Sequence, residues 1–326
     1  MNTRMLLPDA DGIAAAAAIL RSGGRVAMPT ETVYGLAANA LDPVSVASIF
    51  DAKQRPSFDP LIVHLPDAAS ALGFAEHLPA TAEKLAAAFW PGPLTLVLPR
   101  DARIPDIVAA ELPTVALRVP AHPVARALLQ ASALPLAAPS ANLFGSVSPT
   151  SAAHVLDGLG GRIEAVLDGG ACALGLESTV VAFEGERPII LRHGAVTREA
   201  LEQLCGEVGE GARVLERPLA PGQLARHYAT ASPLLRFATV NDLPGPDLEV
   251  VLIVVSGEPP AAHLGGYRSI FTLSPRGDLN LAAASLFGAL READALRPRA
   301  IHVLTCEEVG IGRAINDRLQ RAAVAG

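Results

Sequence analysis

Lysine is nearly missing from this chain: it stands only at Lys53 and Lys84, and every other Lys/Arg position is arginine. Aromatic residues make up 4% of the sequence, so the core must be built from Ala, Leu and Val, as in closely packed α/β layers, and little is on offer for nucleobases to stack on. The three cysteines, Cys172, Cys205 and Cys306, are far apart and odd in number. No Cys-x-x-Cys spacing occurs, so neither a zinc site nor a disulfide framework is expected, and they read as reduced, mostly buried thiols. Charged residues are 18% of the chain and the formal net charge is −7, which argues against a protein whose main task is gripping a nucleic-acid backbone. A local basic pocket stays open. No long apolar run is present either; the alanine-rich stretch 13–20 is too short and too weakly apolar to span a bilayer. Asp9 and Asp11 interrupt the opening residues, which do not read as a signal peptide, so a cytoplasmic location is the default expectation.

What is present is a chain that is half apolar, enough for a sizeable core, and 326 residues long, which suggests about two domains. Asp9 or Asp11 caps a helix that runs to Gly23-Gly24. Residues 25–28 then form a strand ending at Pro29. Asp42-Pro43 opens a helix over 44–52 that delivers Lys53 and Arg55 at its end. Strands are expected at 60–65, 94–98, 114–119, 134–138 and 166–168, with helices at 80–89, 122–131 and 151–159. Residues 178–183 and 188–191 read as a hairpin and 197–204 as a helix. Periodicity then disappears between Gly206 and Pro233, where Gly, Pro, Glu and Arg dominate. Beyond it, strands at 250–255, 269–273 and 301–305 alternate with helices at 279–293 and 311–323. The expected organisation is a domain over 1–205, a linker over 206–233 and a smaller Rossmann-like α/β domain over 234–326. No Gly-x-Gly-x-x-Gly follows its strands, so a dinucleotide site there is unsupported.

Four polar islands stand out. Pro29-Thr-Glu-Thr-Val-Tyr-Gly-Leu36 follows a strand directly and offers hydroxyls, a carboxylate and a phenol where α/β proteins place ligands; the plain alternative is a strand exit with Ser/Thr turn bonding. Lys53-Gln-Arg55 sits in a Pro-bounded turn and suits a polyanion such as a nucleoside triphosphate; taken alone, the pair is more often solvated surface charge. His64 alternates with Leu61 and Val63, facing the other side of its strand, and a lone strand histidine is more often structural than catalytic. Pro139-Ser-Ala-Asn142 and the following Phe144–Thr150 make a loop of small hydroxyls and amides able to wrap phosphate, or simply a loop before a capped helix. Glu177-Ser-Thr179 and Leu191-Arg-His-Gly194 form the last island. Arg118, a single cation in an apolar strand, must meet an anion, either a substrate carboxylate or a structural partner. No Gly-x-Ser-x-Gly frames a nucleophile and no ligand cluster has metal spacing. The inventory is one of positioning, which catalyses by orientation and charge stabilisation.

In this order the islands resemble the YrdC superfamily, in its long two-domain form, the threonylcarbamoyl-AMP synthases. The matching segments are Pro29–Ala40, Lys53–Pro56, Pro60–His64, Trp90-Pro-Gly-Pro-Leu-Thr95, Arg118-Val-Pro120, Pro139–Asn142, Glu177-Ser-Thr-Val180 and Leu191–Gly194. Ala220–Tyr228 looks like the His-Tyr linker of the long form, so the resemblance covers nearly the whole chain. It implies a twisted, concave mixed sheet flanked by helices, with the site in its hollow. It also implies nucleotidyl transfer: L-threonine, bicarbonate and ATP give threonylcarbamoyl-AMP and pyrophosphate, the donor for a threonylcarbamoyltransferase acting on tRNA adenosine 37. By the same match Lys53, Arg55, Ser140 and Asn142 form the catalytic signature. ATP is held by Arg55, Asp59, Thr114, Ser140, Ser148, Arg192 and Tyr228, the last closing over the pocket. Threonine is held by Thr32, His64, Arg118, Ala138 and Ser178. Mg²⁺ arrives with ATP, with no protein metal site and no organic cofactor. One departure stands out: Asp59-Pro60-Leu61 replaces the family's usual Asn-Pro-Leu, and a carboxylate near phosphates repels them unless Mg²⁺ or Arg55 intervenes. The rival readings are an RNA-binding module with at most weak tRNA contact, a related carbamoyl-transfer factor, and a nucleotide sensor without turnover.

Overall fold

The computed structural model describes residues 2–211, 218–224, 227–259 and 265–323. Of the expected linker, residues 212–217 and 225–226 lie outside the described residues. The chain divides into two compact units. The first holds Met1–Phe144, Ser148–Ala173 and Glu177–Leu224; the second holds Gly145–Val147, Leu174–Leu176 and Ala225–Gly326.

The first unit carries β1 (Arg4–Leu6), α1 (Ala10–Arg21), β2 (Val26–Met28), β3 (Gly35–Asn39), α2 (Pro43–Lys53), β4 (Ile62–His64), α3 (Ala68–Leu72), α4 (Ala80–Phe89), β5 (Leu94–Pro99) and α5 (Asp106–Ala109). It continues with β6 (Thr114–Arg118), α6 (Pro123–Ser132), β7 (Leu136–Ala137), α7 (Ala152–Leu159), β8 (Ala165–Leu167), β9 (Thr179–Glu184), β10 (Arg187–Arg192), α8 (Arg198–Cys205) and β11 (Gly209–Glu210). Local chemistry explains the boundaries. Asp9 accepts from the Gly12 amide at 2.8 Å and so starts α1. Asp42 accepts from the Val44 and Ser45 amides with Pro43 at the first helical position, and α2 stops at Gln54, whose φ is +54°. These strands form one mixed sheet in the order β1-β8-β2-β3-β7-β4-β6-β5-β9-β10-β11.

Strand periodicity sorts the side chains onto two faces. Leu36, Ala38, Leu61, Val63, Leu96 and Leu117 enter the main core with Ile49 of α2 and Leu85 of α4. On the opposite face, α1 and α6 pack over Val26, Met28, Ala37 and Leu136. Further along that face, Ile62, Val97, Ala116, Val180, Ile189 and Leu191 form a small cluster to which no helix contributes among the described residues. Among the described residues, Ala220 is its one member from outside the sheet strands. Residues in phase with this cluster, Thr95, Thr114, His64 and Arg118, therefore share its face, where no helix joins the cluster among the described residues.

The second unit is a parallel sheet in the order β12-β15-β13-β14, with β12 (Leu234–Phe237), β13 (Val250–Val254), β14 (Ser269–Thr272) and β15 (Ala300–Leu304). Among the described residues, α9 (Leu279–Ala295) and α10 (Gly312–Ala322) accompany it. The α/β class and the Rossmann-like second unit are as the sequence predicts. The cysteines need a correction. Only Cys172 is buried, while Cys205 and Cys306 are half-buried; all three are free thiols.

Candidate active site

Lys53 ends α2 with its side chain 1% exposed. Its Nζ donates to the backbone carbonyls of Ser140 and Asn142, each at 2.5 Å. Burial and the neighbouring Arg55 push its pKa well below the usual lysine range, while Asp59 pulls it back. The loop it grips is also held by β3 and the residue before it: the Ala141 amide donates to the Tyr34 carbonyl at 2.8 Å and the Leu36 amide to the Pro139 carbonyl at 2.7 Å. Lys53 and Arg55 are thus buried cations rather than solvated surface charge.

Arg55 pairs with Asp59 at 2.8 Å, and the side chains are 3% and 0% exposed. Arg55 also donates to the Pro60 carbonyl at 3.0 Å and lies 5.9 Å from the centroid of the Phe144 ring. Burial raises the Asp59 pKa, and Arg55, Lys53 and Arg192 oppose that shift. The departure at Asp59 is therefore neutralised inside the chain by Arg55.

Arg192 ends β10 and donates through Nε and Nη2 to the Ser178 carbonyl, at 3.1 and 3.0 Å, and through Nη2 to Ser178 Oγ at 3.1 Å. Ser178 Oγ also meets Thr95 Oγ1 at 2.8 Å. Ser148 donates to Glu177 at 2.5 Å. Gly194 is required here by close approach: a Cβ on it would lie 2.3 Å from the Thr179 nitrogen and 2.5 Å from the Glu177 oxygen.

β4 and β6 run parallel and end on paired residues, His64 opposite Arg118. Arg118 Nη2 donates to Glu31 Oε1 at 2.6 Å, and Glu31 Oε2 accepts from the Ala121 amide at 3.1 Å. Burial opposes ionisation of Glu31, but Arg118 and these hydrogen bonds overcome it, so its pKa is lowered. Burial and then Arg118 push His64 down to about 3, so its ring is neutral at working pH. Its Nδ1 lies 3.2 Å from the Ile62 carbonyl oxygen. Thr32 Oγ1 meets Thr30 Oγ1 at 2.8 Å in the turn that carries Glu31. Ala138, buried, donates its amide to Ile62 at 3.0 Å. Thr114 opens β6, about 13 Å from Arg118 at the strand rise per residue. Tyr228 belongs to the second unit, where its ring stacks on Phe287 with centroids 5.4 Å apart and Arg318 lies 5.5 Å from its centroid.

This arrangement gathers cations, hydroxyls and backbone groups, with no nucleophile–base pair in it among the described residues. Residues 18–194 match the family described as "Telomere recombination", that of the Sua5, YciO and YrdC proteins. Residues 196–324 match the family "Threonylcarbamoyl-AMP synthase, C-terminal domain". The threonylcarbamoyl-AMP synthase of Pyrococcus abyssi is 40% identical over 94% of this chain and 93% of its own length. The chain belongs to the threonylcarbamoyl-AMP synthase family. The Bacillus subtilis member is likewise 40% identical, over 95% of this chain and 92% of its own. A crystal structure of Pyrococcus abyssi Sua5 complexed with L-threonine matches with a TM-score of 0.87 at 36% identity, covering 99% of this chain and 98% of that one.

For a threonylcarbamoyl-AMP synthase, motif reading left three side chains of this cluster without a role: Glu31, Thr95 and Glu177. Each partners an expected site residue, Arg118, Ser178 and Ser148 in turn. Thr95 had a readable signal, because alternation along its strand puts it on the same face as His64 and Arg118.

Proposed function

We propose that this chain joins L-threonine, bicarbonate and ATP into threonylcarbamoyl-AMP and releases pyrophosphate. The observation that carries the reading is the full-length likeness to a relative whose crystal structure is described as complexed with L-threonine. In this reading Arg118 and His64, at the paired strand ends, hold threonine together with Thr32, Ala138 and Ser178. A neutral His64 accepts or donates one hydrogen bond without repelling an ammonium. Arg55, Arg192, Ser140, Ser148 and Thr114 hold ATP.

The chemistry asks for registry more than for a reactive side chain. Bicarbonate takes a proton from the threonine ammonium and splits to CO₂ and water; the freed amine takes up the CO₂ as a carbamate, releasing a proton to solvent, and the carbamate oxygen attacks the α-phosphorus in line while pyrophosphate leaves. Holding three reactants together offsets an entropy cost of up to roughly 7–11 kcal/mol. Arg55 is steadied by Asp59 and by the Pro60 carbonyl, so its charge is pre-oriented as negative charge develops. Mg²⁺ enters with ATP and neutralises phosphate charge. Beside these cations the Asp59 carboxylate, whose oxygens take no hydrogen bond among the described residues, would have capacity for a metal-bound water. The product goes to a threonylcarbamoyltransferase acting on tRNA in the cytoplasm.

The experiment is pyrophosphate release from ATP, followed with threonine and bicarbonate added singly and together. Release should need both. Release that ignores threonine rejects the reading, and a trapped acyl- or phospho-enzyme on the path rejects the mechanism.

A further inference from the structure

Arg118 is already paired within the candidate site. Its Nη2 donates to Glu31 at 2.6 Å and its Nε to the Gly92 carbonyl at 3.3 Å; Nη1 makes no hydrogen bond among the described residues. The two side chains are 4% and 10% exposed. Glu31 is itself fixed by the Ala121 amide on its other oxygen.

A buried guanidinium alone would draw in any small anion, and bicarbonate, a substrate of this reaction, is one. The Glu31 carboxylate cancels that charge in advance. A simple carboxylate approaching Arg118 meets a pair of zero net charge and gains little to offset its own desolvation. An amino acid zwitterion brings its own cation. Its carboxylate can share Arg118 while its ammonium meets the lone pairs that Glu31 has to spare, since each carboxylate oxygen accepts more than one hydrogen bond.

We propose that Glu31 is the specificity-determining residue that makes this pocket accept a zwitterionic amino acid and refuse a plain carboxylate anion. The proposal rests on Arg118 holding the threonine carboxylate.

The probe is 3-hydroxybutyrate, which is threonine without its amine, compared with threonine by calorimetry on the full chain. The wild-type chain should bind threonine at least about tenfold more tightly. Glu31→Gln should narrow that gap by about tenfold, weakening threonine and admitting 3-hydroxybutyrate. Glu31→Asp keeps the charge and should keep the gap even where turnover falls, which a packing role alone would not give. Equal affinities in the wild-type chain overturn the proposal, a result that needs no variant to fold. So does an unchanged gap in folded Glu31→Gln, or a Glu31→Asp chain that behaves as Glu31→Gln does. Arg118→Gln separates the two ideas. Unchanged threonine affinity there removes the reading of Arg118 and this proposal with it. Lost affinity there, beside an unchanged gap in Glu31→Gln, removes the proposal alone.

Discussion

The Nζ of Lys53 lies 2.5 Å from the backbone carbonyl oxygen of Ser140. An equal contact to the Asn142 carbonyl makes this ammonium the clamp of the loop that carries both signature residues. The near-absence of lysine elsewhere gains a physical sense here. A compact ammonium on a flexible stem can point at two carbonyls converging on one spot, whereas a guanidinium spreads its donors across a rigid plane. In the resting chain the charge organises the loop from behind.

Lys53→Arg should therefore lose activity although the charge is kept. We expect pyrophosphate release to fall by more than about tenfold, and stability by about 1–3 kcal/mol as one carbonyl loses its donor. Steady-state turnover and a urea melt read the two effects. Full activity with an unchanged melt would show that the geometry of the clamp is immaterial.

Asp59 and Arg55 set up a second test. Asp59→Asn keeps the shape but removes the counter-charge, which frees Arg55 to attract the triphosphate. KM for ATP should fall severalfold, while stability drops by roughly 1–3 kcal/mol for a buried cation left less compensated. An ATP KM that rises would mean that the carboxylate, through Mg²⁺, serves the nucleotide directly.

His64 makes stability depend on acid. Its folded pKa is pushed down to about 3 from the ordinary value of 6.5. Below 6.5 the unfolded chain takes up a proton that the folded chain refuses, so stability present above 6.5 is lost as pH falls toward 3. Between pH 7 and 5 the wild-type chain should lose about 2 kcal/mol more than His64→Gln, measured by urea unfolding at each pH. Parallel losses in the two chains would mean that His64 ionises freely.

Much of this site was legible because period-two alternation depends only on neighbours in sequence. It put His64 on the face opposite Leu61 and Val63, in phase with the cluster to which no helix contributes among the described residues. The need of Arg118 for an anion was legible too, from its isolation in an apolar strand. The anion's identity was not: Glu31 lies 87 residues away, and only the folded sheet brings them together. Nor could the partners of Lys53 be read, because they are backbone oxygens and carry no residue signature. β3 escaped notice for a different reason. Gly35-Leu-Ala-Ala-Asn39 is buried on both faces and so shows no alternation. The edge strands β1 and β11, of 3 and 2 residues, are too short to show any.

Gly194 offers the sharpest test of how the last polar island works. It presses against the Glu177–Thr179 backbone so closely that an added Cβ would meet the Thr179 nitrogen at 2.3 Å, the Glu177 oxygen at 2.5 Å and the Ser178 carbon at 2.5 Å. All three are backbone atoms, so no side chain can swing aside to relieve the clash. The segment that must yield carries Ser178, on which Arg192 rests through its carbonyl and hydroxyl. Gly194→Ala should therefore cost about 1–3 kcal/mol of stability, as overpacking does, and should also displace two expected ligand contacts at once. KM should rise for threonine, through Ser178, and for ATP, through Arg192. A double cycle with Ser178→Ala should be non-additive by roughly 0.5–3 kcal/mol, because both changes act on the same contact. If Gly194→Ala lowers the melt but leaves both KM values alone, the strain stays local and the Ser178–Arg192 link carries no substrate.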